Sequence, residues 1–277
     1  MRLAARRIAP GRADATALVS RAPFSFVGGA DPGTGEVLDD ATGVRGERLS
    51  GRAFAFPHGK GSTVASYVIY GLAKRRLGPA ALLTERADAI VAVGAILGGV
   101  PMVDRMDLGA ILTGDRVVVD ADKGEVVLPD VRARSVVTAF LRNRGRILVV
   151  RRSERVGSFR GKWSGVSGYL EGDEDPKARA AQEIREETRM RGARFRAAGR
   201  AMTSRDGATA YVVHPFLFDS PTRTVRLDWE NVESRWVRPE ELDGFDTVPR
   251  LMDVMSSALA AGGLRIRRPG PPSIRKG

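Results

Sequence analysis

Apolar side chains at Val64, Tyr67, Val68 and Leu72 recur at spacings of three and four, which predicts a helix with those residues on one face. Further along, residues 116–119 and 125–128 read as two short strands joined through Asp122, Lys123 and Gly124. Pro129 and Asp130 then break the pattern, and a fresh strand starts near 135–140. The apolar run Ile147, Leu148, Val149 and Val150 leads into Arg151 and Arg152, and Glu183, Glu186 and Glu187 share one face of a later helix. A length of 277 residues fits two domains, with the seam expected as a linker at 129–134. The expected organisation is a basic tail at 1–22, a first domain at 23–128, a second at 135–262 and a basic disordered tail at 263–277.

The turn before the first helix, Gly59-Lys60-Gly61-Ser62-Thr63, carries candidate chemistry. Ser62 or Thr63 is the natural N-cap. Gly59 and Gly61 accept backbone torsions closed to other residues and let a ligand approach the main chain. Free amides there favour a carboxylate or phosphate. The same residues also read as an ordinary capped helix after a glycine turn. His58 has no carboxylate nearby in sequence and reads as a loop histidine. Gly28-Gly29-Ala30-Asp31-Pro32 is primarily a turn.

Composition narrows the picture. The chain has no cysteine, so it forms no disulfide and offers no thiolate to zinc or to an iron-sulfur cluster. No apolar run reaches the roughly 18 residues of a membrane span, and the reading is a cytoplasmic protein. The arginine-rich stretch at 1–22 contains Asp14 and a Pro10-Gly11 break, which argue for a ragged basic tail over a transit peptide. A formal net charge of +12 raises the question of nucleic acid. Much of that excess is dispersed arginine and tails, without an aromatic-interleaved RNA signature. Phosphorylated substrates and an acidic partner explain a basic surface equally well.

Across residues 23–128 the segments Pro23-Phe24-Ser25-Phe26, Gly28-Gly29-Ala30-Asp31-Pro32, Gly51-Arg52-Ala53, the glycine-serine turn, Pro79-Ala80-Ala81-Leu82-Leu83, Val93-Gly94-Ala95-Ile96, Gly99-Val100-Pro101 and Gly114-Asp115 follow in order. Together they resemble the aconitase X family, in its archaeal form the phosphomevalonate dehydratase small subunits. The resemblance implies a swivelling β/β/α domain that closes over a larger, cysteine-bearing subunit holding a [4Fe-4S] cluster, as a heterodimer or higher assembly. It implies dehydration of a small phosphorylated substrate, (R)-5-phosphomevalonate, to trans-anhydromevalonate 5-phosphate, in isoprenoid synthesis. Ser62 matches the catalytic serine that takes a proton from C2 while cluster iron draws off the C3 hydroxyl. Asp31, Gly59, Lys60 and Gly61 are the associated substrate-binding candidates. A helix N-terminus stabilises an anion by roughly 0.3–1 kcal/mol. That is less than one pKa unit at about 1.36 kcal/mol, so cations and dry surroundings from the partner must complete the activation.

The second half carries a different spacing: Gly168, five residues, Glu174, seven residues, then Gln182-Glu183-Ile184-Arg185-Glu186-Glu187-Thr188-Arg189-Met190. This resembles the Nudix box, supported by Gly161-Lys162-Trp163 and Trp236-Val237-Arg238-Pro239 on either side, and implies an α/β/α sandwich. Three carboxylates on one helical face repel by about 0.2–0.5 kcal/mol per pair unless a counter-ion sits among them. They read either as a solvated acidic face or as an Mg²⁺ or Mn²⁺ site at Glu183, Glu186 and Glu187 that sets water against a diphosphate. Two departures leave hydrolysis open: Gln182 stands where the family has arginine, and Arg189 replaces a glycine, so the helix is expected to run on to Gly192. Beside the dehydratase reading stand two others, a Nudix pyrophosphatase acting on a nucleoside or isoprenoid diphosphate and a basic nucleic-acid-associated protein.

Overall fold

The computed structural model describes residues 1–264, and the chain divides into two compact units. Among the described residues, the first comprises 1–133 with 205–210; the second comprises 134–204 and 211–264. From residue 265 on, the expected C-terminal tail lies outside the described residues.

Eight strands build the first unit: β1 (Arg2–Ala4), β2 (Arg6–Ala9), β3 (Arg12–Val19), β4 (Arg52–Phe56), β5 (Ala81–Thr84), β6 (Met102–Asp104), β7 (Arg116–Asp120) and β8 (Glu125–Val127). Their order is β1-β8-β7-β3-β4-β5-β6-β2. Only Ala5 separates β1 from β2 in the chain, yet they end the order at opposite edges, so the sheet curls until its edges approach. Strands β3 to β6 run parallel.

Alternation along β4 sorts its side chains between two cores. Ala53 and Ala55 join Ala15, Ala17, Ala81, Val117 and Val119 on the tightly curled face. Phe54 and Phe56 point the other way. They meet the single turn α1 (Phe26–Gly29) and the helices α2 (Ala65–Lys74) and α3 (Ala89–Gly98). Phe24 packs edge-on against Phe26 and Phe54, with ring centroids 5.0 and 4.9 Å apart. Such pairs contribute about 0.5–1.5 kcal/mol beyond their burial, which pins the segment at Phe24 to the sheet.

Two sequence expectations need correction here. The stretch at 1–22 is not a tail: it supplies β1, β2 and β3, with Ala17 and Leu18 fully buried. Its arginines are exposed, and Arg6 and Arg12 pair with Asp104 and Asp120. A strand that is charged on one face mimics a basic tail in composition. Helix α2 forms, but buries Ala65, Ile69 and Leu72, while Val64 and Tyr67 are exposed. The buried stripe lies one residue, about 100°, from the expected one. The small Ala65 and Ser66 fit where α3 approaches; Tyr67 does not.

The second unit holds β9 (Arg132–Asn143), β10 (Arg146–Arg152), β11 (Trp163–Ser164), β12 (Val166–Tyr169), β13 (Arg194–Ala198), β14 (Met202–Asp206), β15 (Thr209–Asp219) and β16 (Asn231–Val237). Helices α4 (Pro176–Thr188) and α5 (Leu251–Ala261) cover its two faces. Alternation again decides the layers. Ile147 and Val149 of β10 pack with Leu251, Val254 and Met255 of α5, while Leu148 and Val150 pack with Ala180 and Ile184 of α4. The result is an α/β/α sandwich. The expected linker at 129–134 is a turn that passes into β9 at Arg132.

Candidate functional site

The four parallel strands of the first unit end at Val19, Phe56, Thr84 and Asp104, and the connections leaving those ends form one rim. Parallel sheets gather ligands at this C-terminal rim, where loops diverge and backbone groups are free. The loop carrying Ser62 leaves β4 there. The Phe24 amide donates to the His58 carbonyl (3.1 Å) and the Lys60 amide to the Phe24 carbonyl (2.9 Å). The Glu85 and Arg86 amides both donate to the Pro57 carbonyl, and the Arg105 amide donates to the Glu85 carbonyl, each at 3.1 Å.

Asp88 locks this loop to α3. Its Oδ1 accepts from the amides of Ile90 and Val91, capping the helix, and its Oδ2 accepts from the Gly59 amide at 3.0 Å. A Cβ at position 59 would lie 2.1 Å from Asp88 Oδ2, so close approach requires glycine. At Gly61 the requirement is double: φ is +112°, and a Cβ would lie 2.8 Å from Ser25 Oγ. Ser62 is exposed, and its Oγ accepts from the Val64 amide at 3.3 Å.

The hydroxyls do not cap α2 as expected, because Val64 occupies the N-cap position with no side-chain bond. Ser62 and Thr63 instead use their carbonyls, accepting from the amides of Ala65 (3.0 Å) and Ser66 (3.4 Å). Helical torsions already begin at Val64, which leaves the serine oxygen available at the rim. Lys60 Nζ lies 3.3 Å from Asp39 Oδ2. The Ala41 amide, then Lys60, hold the Asp39 carboxyl below the usual carboxylate range. Asp31 turns back into its own loop, its Oδ1 accepting from Gly33 (2.7 Å) and Thr34 (2.9 Å). His58 Nδ1 lies 3.0 Å from the Gly59 carbonyl oxygen. Asp104, buried beneath the rim, is bound two-pronged by Arg6 at 2.8 and 2.7 Å. Burial opposes its charge, but Arg6 and the Ala87 amide outweigh that and keep its carboxyl low.

In the second unit, Asp175 caps α4 by accepting from Lys177 and Ala178, with Pro176 in the first turn. The three glutamates face the expected way, but each is already engaged by the chain. Arg179, one turn earlier, pairs with Glu183. Gln182 Nε2 donates to Glu186 at 2.8 Å. Glu187 accepts from the Ser167 amide (2.9 Å) and from Asn231 Nδ2 (2.6 Å). Gly168 presses on Glu183 so closely that a Cβ would overlap its carboxylate.

Glu183 and Glu187 are both buried. Burial pushes the Glu187 carboxyl up to about 8 against the Asn231 hydrogen bond, and the Glu183 carboxyl up to about 7 against the charge of Arg179. Among the described residues no three acidic, histidine or cysteine side chains come together as a metal site requires. Glu183, Glu186 and Glu187, the expected Mg²⁺ or Mn²⁺ ligands, thus lie along α4 with donors of the chain itself on their carboxylates. Helix α4 also stops earlier than expected. Arg189 itself adopts the left-handed conformation, φ +55°, that a glycine would take, and the helix does not run to Gly192.

Sequence reasoning passed over Asp88, Arg179 and Asn231. Asp88 directly precedes the apolar helix α3, a readable N-cap signal, and Arg179 stands four residues before Glu183. Asn231 lies 44 residues from Glu187 and leaves no local trace.

Residues 2–128 match the aconitase X swivel domain, and residues 131–256 match the NUDIX domain. The phosphomevalonate dehydratase small subunit of Thermococcus sibiricus is 51% identical over 126 residues, covering 46% of this chain and 97% of that protein. A crystal structure of Thermococcus kodakaraensis aconitase X in its holo form is 48% identical, covering 46% of this chain and 96% of that one, with a TM-score of 0.45. The MutT protein of Methanosarcina mazei is 28% identical, covering 45% of this chain and 91% of that one, with a TM-score of 0.37. Half-identity over nearly the full length of a small subunit makes this chain a member of the aconitase X swivel-domain family, carrying a NUDIX domain in the same polypeptide.

Proposed function

We propose that the first unit is the small subunit of a hydro-lyase that converts (R)-5-phosphomevalonate to trans-anhydromevalonate 5-phosphate, with Ser62 as the proton acceptor at C2. The observation that carries the reading is the 51% identity to a phosphomevalonate dehydratase small subunit along 97% of its length. The rim supports it: Ser62 is exposed, and the glycine turn before it is braced by Asp88. Lys60 and the Gly61 turn are suited to an anionic substrate, with the Gly59 and Lys60 amides holding the turn to Asp88 and Phe24, while Asp31 shapes the adjoining loop.

The chain has no cysteine and so does not fit a [4Fe-4S] cluster; a cysteine-bearing large subunit supplies it in a heterodimer or higher assembly. Among the described residues no helix is long and apolar enough to cross a membrane. The single-chain contribution is the alkoxide-forming hydroxyl and its placement. A helix terminus contributes roughly 0.3–1 kcal/mol to such an anion, so the partner must close over Ser62 and exclude water.

Co-expression with a candidate large subunit, followed by a dehydration assay on phosphomevalonate, tests the reading. Turnover by the pair, lost in Ser62→Ala with assembly intact, is the expected result. An inert pair overturns the proposal, and an active Ser62→Ala pair removes Ser62 from the mechanism.

A further inference from the structure

We propose that Asp39 is a positioning residue, which holds the Lys60 ammonium where the substrate carboxylate takes on charge during proton removal. The inference rests on the dehydratase reading and adds to it a residue from outside the glycine-serine turn. Lys60 has a fixed backbone and a loose stem. Its amide donates to the Phe24 carbonyl at 2.9 Å, and the Gly59 amide before it donates to Asp88 Oδ2 at 3.0 Å. Neither bond restrains the long, flexible side chain, which is 47% exposed.

Asp39 supplies that restraint, with its Oδ2 at 3.3 Å from Lys60 Nζ. Asp39 is itself anchored. Its Oδ1 accepts from the Ala41 amide at 3.0 Å, its carbonyl accepts from Thr42 Oγ1 at 2.6 Å, and the preceding Leu38 amide donates to the Gly29 carbonyl at 2.8 Å. Two neighbouring carboxylates are committed elsewhere, Asp40 to Arg45 at 2.8 Å and Asp31 to the Gly33 and Thr34 amides. An ion pair as exposed as Lys60 and Asp39 contributes little to stability, so its effect lies in ordering the ammonium. An ammonium has three donors, and Asp39 leaves the others for an incoming anion.

The place of Lys60 in the turn selects which anion. It stands two residues before Ser62, the proposed proton acceptor at C2. C2 is bonded to the C1 carboxylate, whereas the phosphate is carried at the far end of the substrate, on C5. As the C2 proton passes to Ser62 Oγ, the C–H electron pair spreads onto the C1 carboxylate before it forms the C2=C3 bond and releases the C3 hydroxyl. A cation fixed in advance beside that carboxylate stabilises the charge-bearing stage more than the bound substrate, and so acts on turnover.

The test is steady-state kinetics of phosphomevalonate dehydration by the full chain reconstituted with its candidate large subunit. Asp39→Asn should lower kcat by about 10² with KM changed less than about threefold, and Asp39→Glu should recover part of the loss. Lys60→Ala should fall at least as far, and adding Asp39→Asn to it should cost nothing further, a coupling that a merely structural residue does not show. Thermal unfolding of the free Asp39→Asn chain and its co-purification with the large subunit should match the wild type. A raised KM at unchanged kcat places Lys60 on ground-state binding and overturns the proposal. Additive losses in the double variant overturn it too, as does an Asp39→Asn chain that fails to fold or assemble. An inert wild-type pair sinks the dehydratase reading itself, whereas an active pair indifferent to Asp39→Asn sinks this inference alone.

Discussion

The serine loop of the first unit and the carboxylate helix of the second use their polar groups in opposite ways. Around Ser62 the carboxylates act on the backbone. Asp88 grips the Gly59 amide and the start of α3, and the serine oxygen is left exposed at the rim. On α4 the carboxylates are themselves gripped, by Arg179, Gln182, Ser167 and Asn231. On the proposed dehydratase reading, the first arrangement awaits the surface of a partner. In the second, each carboxylate has a partner within the chain. Motif spacing alone does not distinguish these states, since both motifs present suitable residues at suitable intervals.

Ser62 carries the strongest test of the dehydratase reading. In the reconstituted pair, Ser62→Ala should lower the dehydration rate by about 10²–10⁴, the usual range for removing a positioned proton acceptor, with co-purification unchanged. The closed character of the second unit has a pH signature. Glu187 has its folded carboxyl raised to about 8 by burial, above an unfolded value of 4.5. Between those values the folded state holds a proton that the unfolded state has lost, so stability is full below 4.5 and falls as pH rises toward 8. The slope approaches roughly 1.4 kcal/mol per pH unit. Glu187→Gln should remove this contribution and leave that of Glu183, whose carboxyl burial raises to about 7, so the slope should fall between pH 5 and 7 and vanish nearer 8, read as the transition temperature of the second unit against pH in EDTA; an unchanged slope would assign the effect elsewhere.

Smaller effects sharpen the contrast. Gly59→Ala drives a methyl into Asp88 Oδ2 and should destabilise the first unit by about 1–3 kcal/mol, an overpacking cost that Asp88→Ala should partly relieve. Equilibrium denaturation of the single and double variants measures both. At the end of α4, Arg189→Gly removes a left-handed non-glycine residue and should stabilise the second unit by up to about 1 kcal/mol, visible as a raised transition temperature.

Much of both units was legible in the chain. The paired strands β7 and β8, the start of a new strand after Pro129, the helix following Ser62 and the shared face of Glu183, Glu186 and Glu187 all follow from spacing between near neighbours. So does the family of each half, because many short motifs stand in order. Composition misled at residues 1–22, where outward arginines hid three strands, and at α2, where apolar side chains outnumber the positions that can be buried.

What the sequence alone determined, then, is the elements with clear local periodicity, the two motifs and the absence of any thiolate. Tertiary structure decided which stripe of α2 meets the sheet, that β1 and β2 finish opposite edges of a curled sheet, and that Asp88 and Asn231 reach Gly59 and Glu187 across 29 and 44 residues. The reason is physical. Periodicity depends on residues within a turn or two of each other, whereas burial, hydrogen-bond satisfaction and counter-charge depend on which distant segments the closed sheet brings into contact.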